Sequence, residues 1–294
     1  MAVERLNSQC ISCLLNKHLK DFPDGMSSSK KTKFMQGILK IIGNAKIGVS
    51  APEIVEQITD FKEKNGVTTD FSKIKKFYND YLLSMEMGIE EKLAVSCNPL
   101  KLALQYAMAG NYIDYGPVKN VEESVVMESL LNAKNIKIND MLYECFKSEI
   151  LEAKSIVYLI DNCGEIVLDK LLIKEILKLN NNVKITAVVR GKPVLNDCTL
   201  EDAKYVGLDE IVEVIDNGTG IAGTVLSRIT PQVLNAIENA DIIISKGQGN
   251  FETLHHCGKN IYYIFLCKCK MFAERFGVDA FTGMFVNDKC LKNH

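Results

Sequence analysis

SIVYLIDNCGEIVLD, residues 155–169, is the stretch from which the fold can be read. Its first half, Ile156-Val157-Tyr158-Leu159-Ile160, is a continuous apolar run with the length and composition of a strand buried on both faces. Asp161-Asn162 ends the run and Cys163-Gly164 follows. Ile166, Leu168, Leu171, Leu172, Ile176 and Leu177 then repeat at helical spacing. Strand, short polar turn and helix make the first half of a βαβ unit, and open α/β sheets bind ligands at the carboxyl ends of such strands. Short polar residues also serve simply to turn the chain and cap a helix. The turn alone therefore leaves both roles open for Asp161 and Asn162.

Downstream the same alternation recurs. A second strand is expected over Val183–Val189, ending at Arg190-Gly191-Lys192-Pro193, with Asn196-Asp197 shortly after and a short helix from Thr199 to Val206. A third strand over Ile211–Ile215 ends in Asp216-Asn217. Pro231–Asn239 reads as a helix, and a fourth strand over Asp241–Ser245 ends in Lys246-Gly247-Gln248-Gly249-Asn250. Ile261–Leu266 is a fifth strand, a helix runs on to Phe276, and Met284-Phe285-Val286 is a last edge strand. This alternation predicts an α/β fold: a mainly parallel sheet with helices on both faces, a three-layer α/β/α arrangement.

Upstream, residues 1–150 carry almost no strand pattern. Cys10, Cys13, Leu14 and Leu15 open one helix, and after a polar break ending at Lys33 another follows through Phe34, Ile38 and Ile42. Ser50-Ala51-Pro52-Glu53 is a capping box with proline at the helix entrance. Asp70 and Pro99 start two further helices, and two more are expected around Glu122–Leu131 and Asn139–Ile150. The chain thus divides into an all-helical domain, 1–150, contributing to a cleft, and an α/β/α domain, 151–294.

With 47% apolar and 24% charged residues, the composition is that of an ordinary globular protein. A net charge of −2 argues against a nucleic-acid partner bound through a broad basic surface. No apolar run approaches the roughly 20 residues that span a bilayer, and the first residues, MAVERLNSQC, lack a secretory apolar core, so a cytoplasmic protein with no membrane partner is expected. The 10 cysteines then read as free thiols or soft-metal ligands, with Cys10-x-x-Cys13 a candidate pair and Cys267 and Cys269 its candidate partners.

Right-handed crossovers bring all the parallel strand ends to one rim. That rim collects Asp161, Asn162, Arg190, Asn196, Asp197, Asp216, Asn217 and Lys246 through Asn250. Carboxylate and amide oxygens without a His or Cys cluster suit a hard divalent cation. Lys246, with the backbone of Gly247 and Gly249 before a helix start, has the makings of a phosphate cradle. An acid in the first strand-to-helix turn would repel a pyrophosphate unless a cation lay between. Metal and phosphate on one rim favour phosphoryl chemistry over hydride transfer.

Four motifs then resemble one family: GNxID (Asn111, Asp114), DNxGE (Asp161, Asn162, Gly164, Glu165), RGxPxxNDxTxxDA (Arg190, Gly191, Pro193, Asn196, Asp197, Thr199, Asp202, Ala203) and KGQGNFE (Lys246 to Glu252). Their order and spread over nearly the whole chain resemble the metal-dependent damage-control phosphatases, long filed as a domain of unknown function. Cys10-x-x-Cys13 resembles the prokaryotic, largely archaeal branch. The resemblance implies a helical domain joined to a Rossmann-like α/β/α domain. It also implies a divalent metal (Mg²⁺, Mn²⁺, Co²⁺ or Ni²⁺) on Asp161, Asn162 and Asp197, and hydrolysis of small phosphorylated metabolites. In the resulting scheme Lys246 and the backbone of Gly247, Gln248, Gly249 and Asn250 hold phosphate. Arg190, Asn196 and Glu165 also bind the substrate or its phosphate, while Asn111 and Asp114 reach across the cleft to substrate hydroxyls. The competing readings are an S-adenosylmethionine-dependent methyltransferase and a non-catalytic metal- or metabolite-binding protein.

Overall fold

The computed structural model describes residues 6–19, 22, 25–114 and 121–291; Tyr115 and Gly116, which close the stretch after Asp114, lie outside them. Among the described residues seven α-helices come first: α1 (Ser8–His18), α2 (Ser28–Gly43), α3 (Ala51–Lys64), α4 (Ser72–Ala94), α5 (Pro99–Gly110), α6 (Glu123–Leu131) and α7 (Asp140–Glu152). The alternating part follows as β1 (Ser155–Leu159), α8 (Glu165–Leu179), β2 (Lys184–Val189), α9 (Leu200–Tyr205), β3 (Glu213–Asp216) and α10 (Pro231–Asn239). It ends with β4 (Ile242–Lys246), α11 (Gln248–Leu254), β5 (Ile261–Leu266), α12 (Lys270–Phe276) and β6 (Gly283–Asn287).

The six strands form one sheet in the order β3-β2-β1-β4-β5-β6. β1 to β5 pair in parallel and β6 returns antiparallel against β5. The chain therefore builds outward from β1 to one edge and then restarts at β4 on the other side. That reversal opens a crevice beyond the carboxyl ends of β1 and β4, where sheets of this type take ligands.

Side chains of β1 alternate between two cores, as the pleat requires. Ile156 and Tyr158 join α4, α5, α7 and α8 on one face; Val157 and Leu159 join α10, α11 and α12 on the other. Helix α8 is buried almost all round, from Glu165 to Ile173, because it lies between the sheet and the earlier helices. The change at residue 150 is thus one of secondary structure, since α4 to α7 share the core of α8 and the sheet. A separate core instead belongs to α1–α3, through Leu14, Phe34, Ile38, Ile42, Ile54, Ile58 and Val67. Helix α2 begins inside the polar stretch before Phe34. Ser27 caps it by accepting from the Lys30 N–H, and the first turn is solvated.

Candidate active site

Asp161 and Asn162 leave β1 at the crevice, and Lys246 ends β4 beside them. Asp197 is 35 positions beyond Asn162, yet the two residues form a lone antiparallel bridge. The loop after β2 folds back to make it: the Cys163 N–H donates to Asn196 O (2.9 Å) and the Cys198 N–H donates to Asp161 O (2.8 Å). Leu195 takes a left-handed backbone, φ 48°, at this reversal. For a branched side chain that conformation costs on the order of 1–3 kcal/mol, and it sets Asn196 and Asp197 against the first turn.

The side chains then interlock. Arg190 donates from Nε to Asp197 Oδ2 (2.7 Å), from Nη2 to Asp161 Oδ1 (3.2 Å), and from Nη1 to Gly223 O (2.9 Å) and Asn250 Oδ1 (3.2 Å). Asn162 donates through Nδ2 to Asp161 Oδ2 (2.7 Å) and Glu165 Oε2 (2.9 Å). Asn111, at the end of α5, donates through Nδ2 to both Glu165 oxygens (3.0 Å each) and accepts the Leu266 N–H on Oδ1 (3.0 Å). Gly247 approaches Asp161 so closely, at φ +81°, that a Cβ there would stand 2.0 Å from Asp161 Oδ2. Only glycine fits that position.

Four carboxylates (Asp161 6%, Asp197 3%, Glu165 0% and Asp169 0% exposed) face two cations, Arg190 (2%) and Lys246 (0%). Fully ionised, the network carries a surplus of two negative charges out of water, a costly state unless compensated. The acids register it. Burial, then Asp197 and Glu165, push Asp161 well above the usual carboxylate range despite Arg190. Burial raises Asp197 to about 6 against the pull of Arg190, and raises Asp169 to about 7 against the pull of Lys246. Two protons or one divalent cation would relieve the surplus.

Several expectations need correction here. Asp161 and Asp197, placed on the rim by the strand order, are buried there. Lys246 does not face a phosphate: its three protons are spent on Ala107 O (2.9 Å), Glu165 Oε1 and Asp169 Oδ1 (2.6 Å). In the expected cradle the Gly247 N–H donates to Ile264 O (3.1 Å), and Gly249 lies against the Ala222 carbonyl. Gln248 accepts the Lys268 and Cys269 N–H groups, and Asn250 donates to Lys246 O while accepting from Arg190 and Thr224. These residues brace the site. Asn111 and Glu165 likewise hold the network together, and Asn196 donates to Ile113 O (3.0 Å). Asp114 pairs with Lys268 Nζ at 2.7 Å.

Lys268 and Asp169 are the residues that sequence reasoning passed over. Lys268 stands two residues beyond β5, where the rim rule that singled out Lys246 applies equally. Asp169 was visible as a lone acid one turn after Glu165 in an apolar helix, a position that asks for a buried cation. All ten cysteines are free. Among the described residues no three or more His, Cys, Asp or Glu side chains form a group able to hold a metal ion, so Cys10, Cys13, Cys267 and Cys269 make no such centre. A cation in the crevice would rest on two carboxylates and neutral oxygens. Asn162 fits that donor set: its Nδ2 is committed to Asp161 and Glu165, which leaves Oδ1 available.

A mainly parallel, switched sheet carrying a buried acidic, amide-braced cluster at its reversal defines an α/β protein with a candidate hard-cation site. The chain belongs to the damage-control phosphatase ARMT1-like domain family, whose description matches residues 6–282. It is 42% identical over 179 residues to the uncharacterized protein MJ0202 of Methanocaldococcus jannaschii, covering 58% of this chain and 57% of that one. It is 35% identical over 221 residues to a damage-control phosphatase of Archaeoglobus fulgidus, covering 73% and 74% of the two chains. The crystal structure of a DUF89 family protein (PH1575) of Pyrococcus horikoshii superposes with a TM-score of 0.81 at 25% identity, covering 96% of this chain and 98% of that one.

Proposed function

We propose that the chain is a divalent-metal-dependent phosphatase that hydrolyses small phosphorylated metabolites, with Mg²⁺, Mn²⁺, Co²⁺ or Ni²⁺ as its metal. Family membership and a relative named as a damage-control phosphatase support the phosphatase reading. The observation that carries the metal is the buried surplus of two negative charges around Asp161 and Asp197. A sulfonium cofactor brings one positive charge and no need for oxygen ligands, so the pocket favours a dication over a methyltransferase. No helix among the described residues is long and apolar enough to cross a membrane.

Asp161, Asp197 and the Asn162 Oδ1 would hold the cation. Bound there, it supplies Lewis acidity toward a phosphate oxygen and lowers the pKa of a bound water. Arg190 holds both carboxylates from one planar fork, fixing their relative orientation before substrate arrives. Phosphate release from a panel of phosphomonoesters, with Mn²⁺ or Co²⁺ and with chelator, tests the reading; release unaffected by chelator would refute the metal.

A second test reads stability. Asp197 and Asp169 bind their protons more tightly in the folded protein than in the unfolded chain. The stability they contribute is complete below the ordinary carboxylate pKa of about 4, and is lost as pH rises through about 6 to 7. Metal-free protein is therefore expected to melt at a lower temperature at about pH 8 than at about pH 6. Saturating Mn²⁺ should close most of that gap. A melting temperature independent of both pH and Mn²⁺ would mean that the charge surplus is not felt.

A further inference from the structure

Asp169 is fully buried, and its hydrogen bonds go to Lys246 and Tyr158, not to the residues that would hold the cation. Its Oδ1 accepts from Lys246 Nζ (2.6 Å) and from the Tyr158 hydroxyl (2.8 Å), while its Oδ2 has no hydrogen-bond partner. A buried acid with an orphaned oxygen, among Val167, Leu168, Leu171 and Leu172, is costly where a leucine would pack well. Its place is explained by what Lys246 holds in turn.

The Lys246 ammonium is fixed from three directions, by Ala107 O of α5 and by Glu165 and Asp169 of α8. Glu165 gathers the Nδ2 groups of Asn111 and Asn162. That gathering decides which way the Asn162 amide faces. With Nδ2 turned to Glu165 and Asp161, its oxygen is left for a cation; a flipped amide would present N–H groups and repel one. The chain of command runs from Asp169 to Lys246, to Glu165, to the Asn162 amide.

We propose that Asp169 is a positioning residue of the metal centre, acting through Lys246 and Glu165 to hold the Asn162 carbonyl oxygen in its ligating orientation; this rests on the metal reading above. Removing the Asp169 charge has two consequences. The network's surplus falls from two negative charges to one, because three carboxylates then face two cations. Lys246, left with one acid, draws Glu165 toward itself and away from the two amides.

The test is Mn²⁺ affinity measured by calorimetry without substrate, on wild type, Asp169→Asn, Glu165→Gln and the double variant, with thermal melts as a control of folding. Each single variant is expected to bind Mn²⁺ about 10–100-fold more weakly, the range for residues that orient metal ligands. The double variant should lose much less than the product of the two factors, since both act on one amide. In turnover, kcat should fall while KM for the phosphomonoester stays near wild type. Folded Asp169→Asn with wild-type Mn²⁺ affinity overturns the proposal, and so do fully multiplicative losses in the double variant. If Asp169→Asn does not fold, unchanged affinity in Glu165→Gln overturns it equally. A wild-type protein that binds no Mn²⁺ defeats the metal reading and this inference together; a wild type that binds while the variants match it defeats the inference alone.

Discussion

Lys246→Met is expected to destabilise the protein by about 3–5 kcal/mol, the usual cost of removing one partner from a buried ion pair. Methionine has a similar length but leaves Glu165 and Asp169, both fully buried, without their shared cation. The Ala107 carbonyl loses its donor as well. Metal affinity and turnover should fall with stability, because Glu165 loses the ion pair that fixes its place between the lysine and the two amides. A lysine that met only substrate would behave otherwise: the variant would melt like wild type and lose kcat/KM alone. Denaturant unfolding beside steady-state kinetics separates these outcomes, and a stable, catalytically impaired variant would return Lys246 to the substrate side.

The second large effect is expected at Asp161. Asp161→Asn should cut turnover by about a thousandfold or more, since it removes an anionic donor from the cation and a charge from the pocket. The same change should raise the melting temperature of the metal-free protein. Burial, Asp197 and Glu165 all disfavour Asp161 as an anion, so its neutral isostere relieves the crowding. Mn²⁺ should then no longer stabilise the chain. Asp197→Asn should lose turnover similarly but gain less stability, because it strips the charge from the 2.7 Å ion-paired contact with Arg190 Nε. A variant at either position that keeps the wild-type rate under the same metal would remove that residue from the site. This opposition of stability and activity is what a site held under electrostatic strain should give.

Much of the frame was legible in the residues. Ile156–Ile160 and Ile261–Leu266 are apolar runs too continuous for anything but strands buried on both faces, and both are strands in the sheet. Pro231 after Thr230, and Ser50 with Glu53, mark helix starts by local hydrogen bonding alone, and both helices begin there. The rim followed from topology, since parallel strands must send their carboxyl ends the same way. What escaped was whatever depended on pairings far apart in the chain. The reversal that carries Asp197 to Asn162 turns on Leu195, a residue with no preference for positive φ, so nothing local announced it. The burial of Lys246 depends on α5 and α8 closing over it, 139 and 77–81 positions away. From the sequence it showed only as a strand-ending lysine before glycines, the same appearance a phosphate-binding lysine has. Asn111 looked like a residue beyond a helix end because its partners, Asp161, Glu165 and Leu266, come from segments 50 or more positions away.

The most direct test of the account is release of inorganic phosphate by the wild-type protein from sugar phosphates and nucleotide-like phosphates, assayed with chelator and then with added Mn²⁺ or Co²⁺. The account predicts no release in chelator, release restored by either dication, and no release under the same metal from the Asp161→Asn variant. Equal rates with and without metal, or undiminished release by Asp161→Asn, would contradict it.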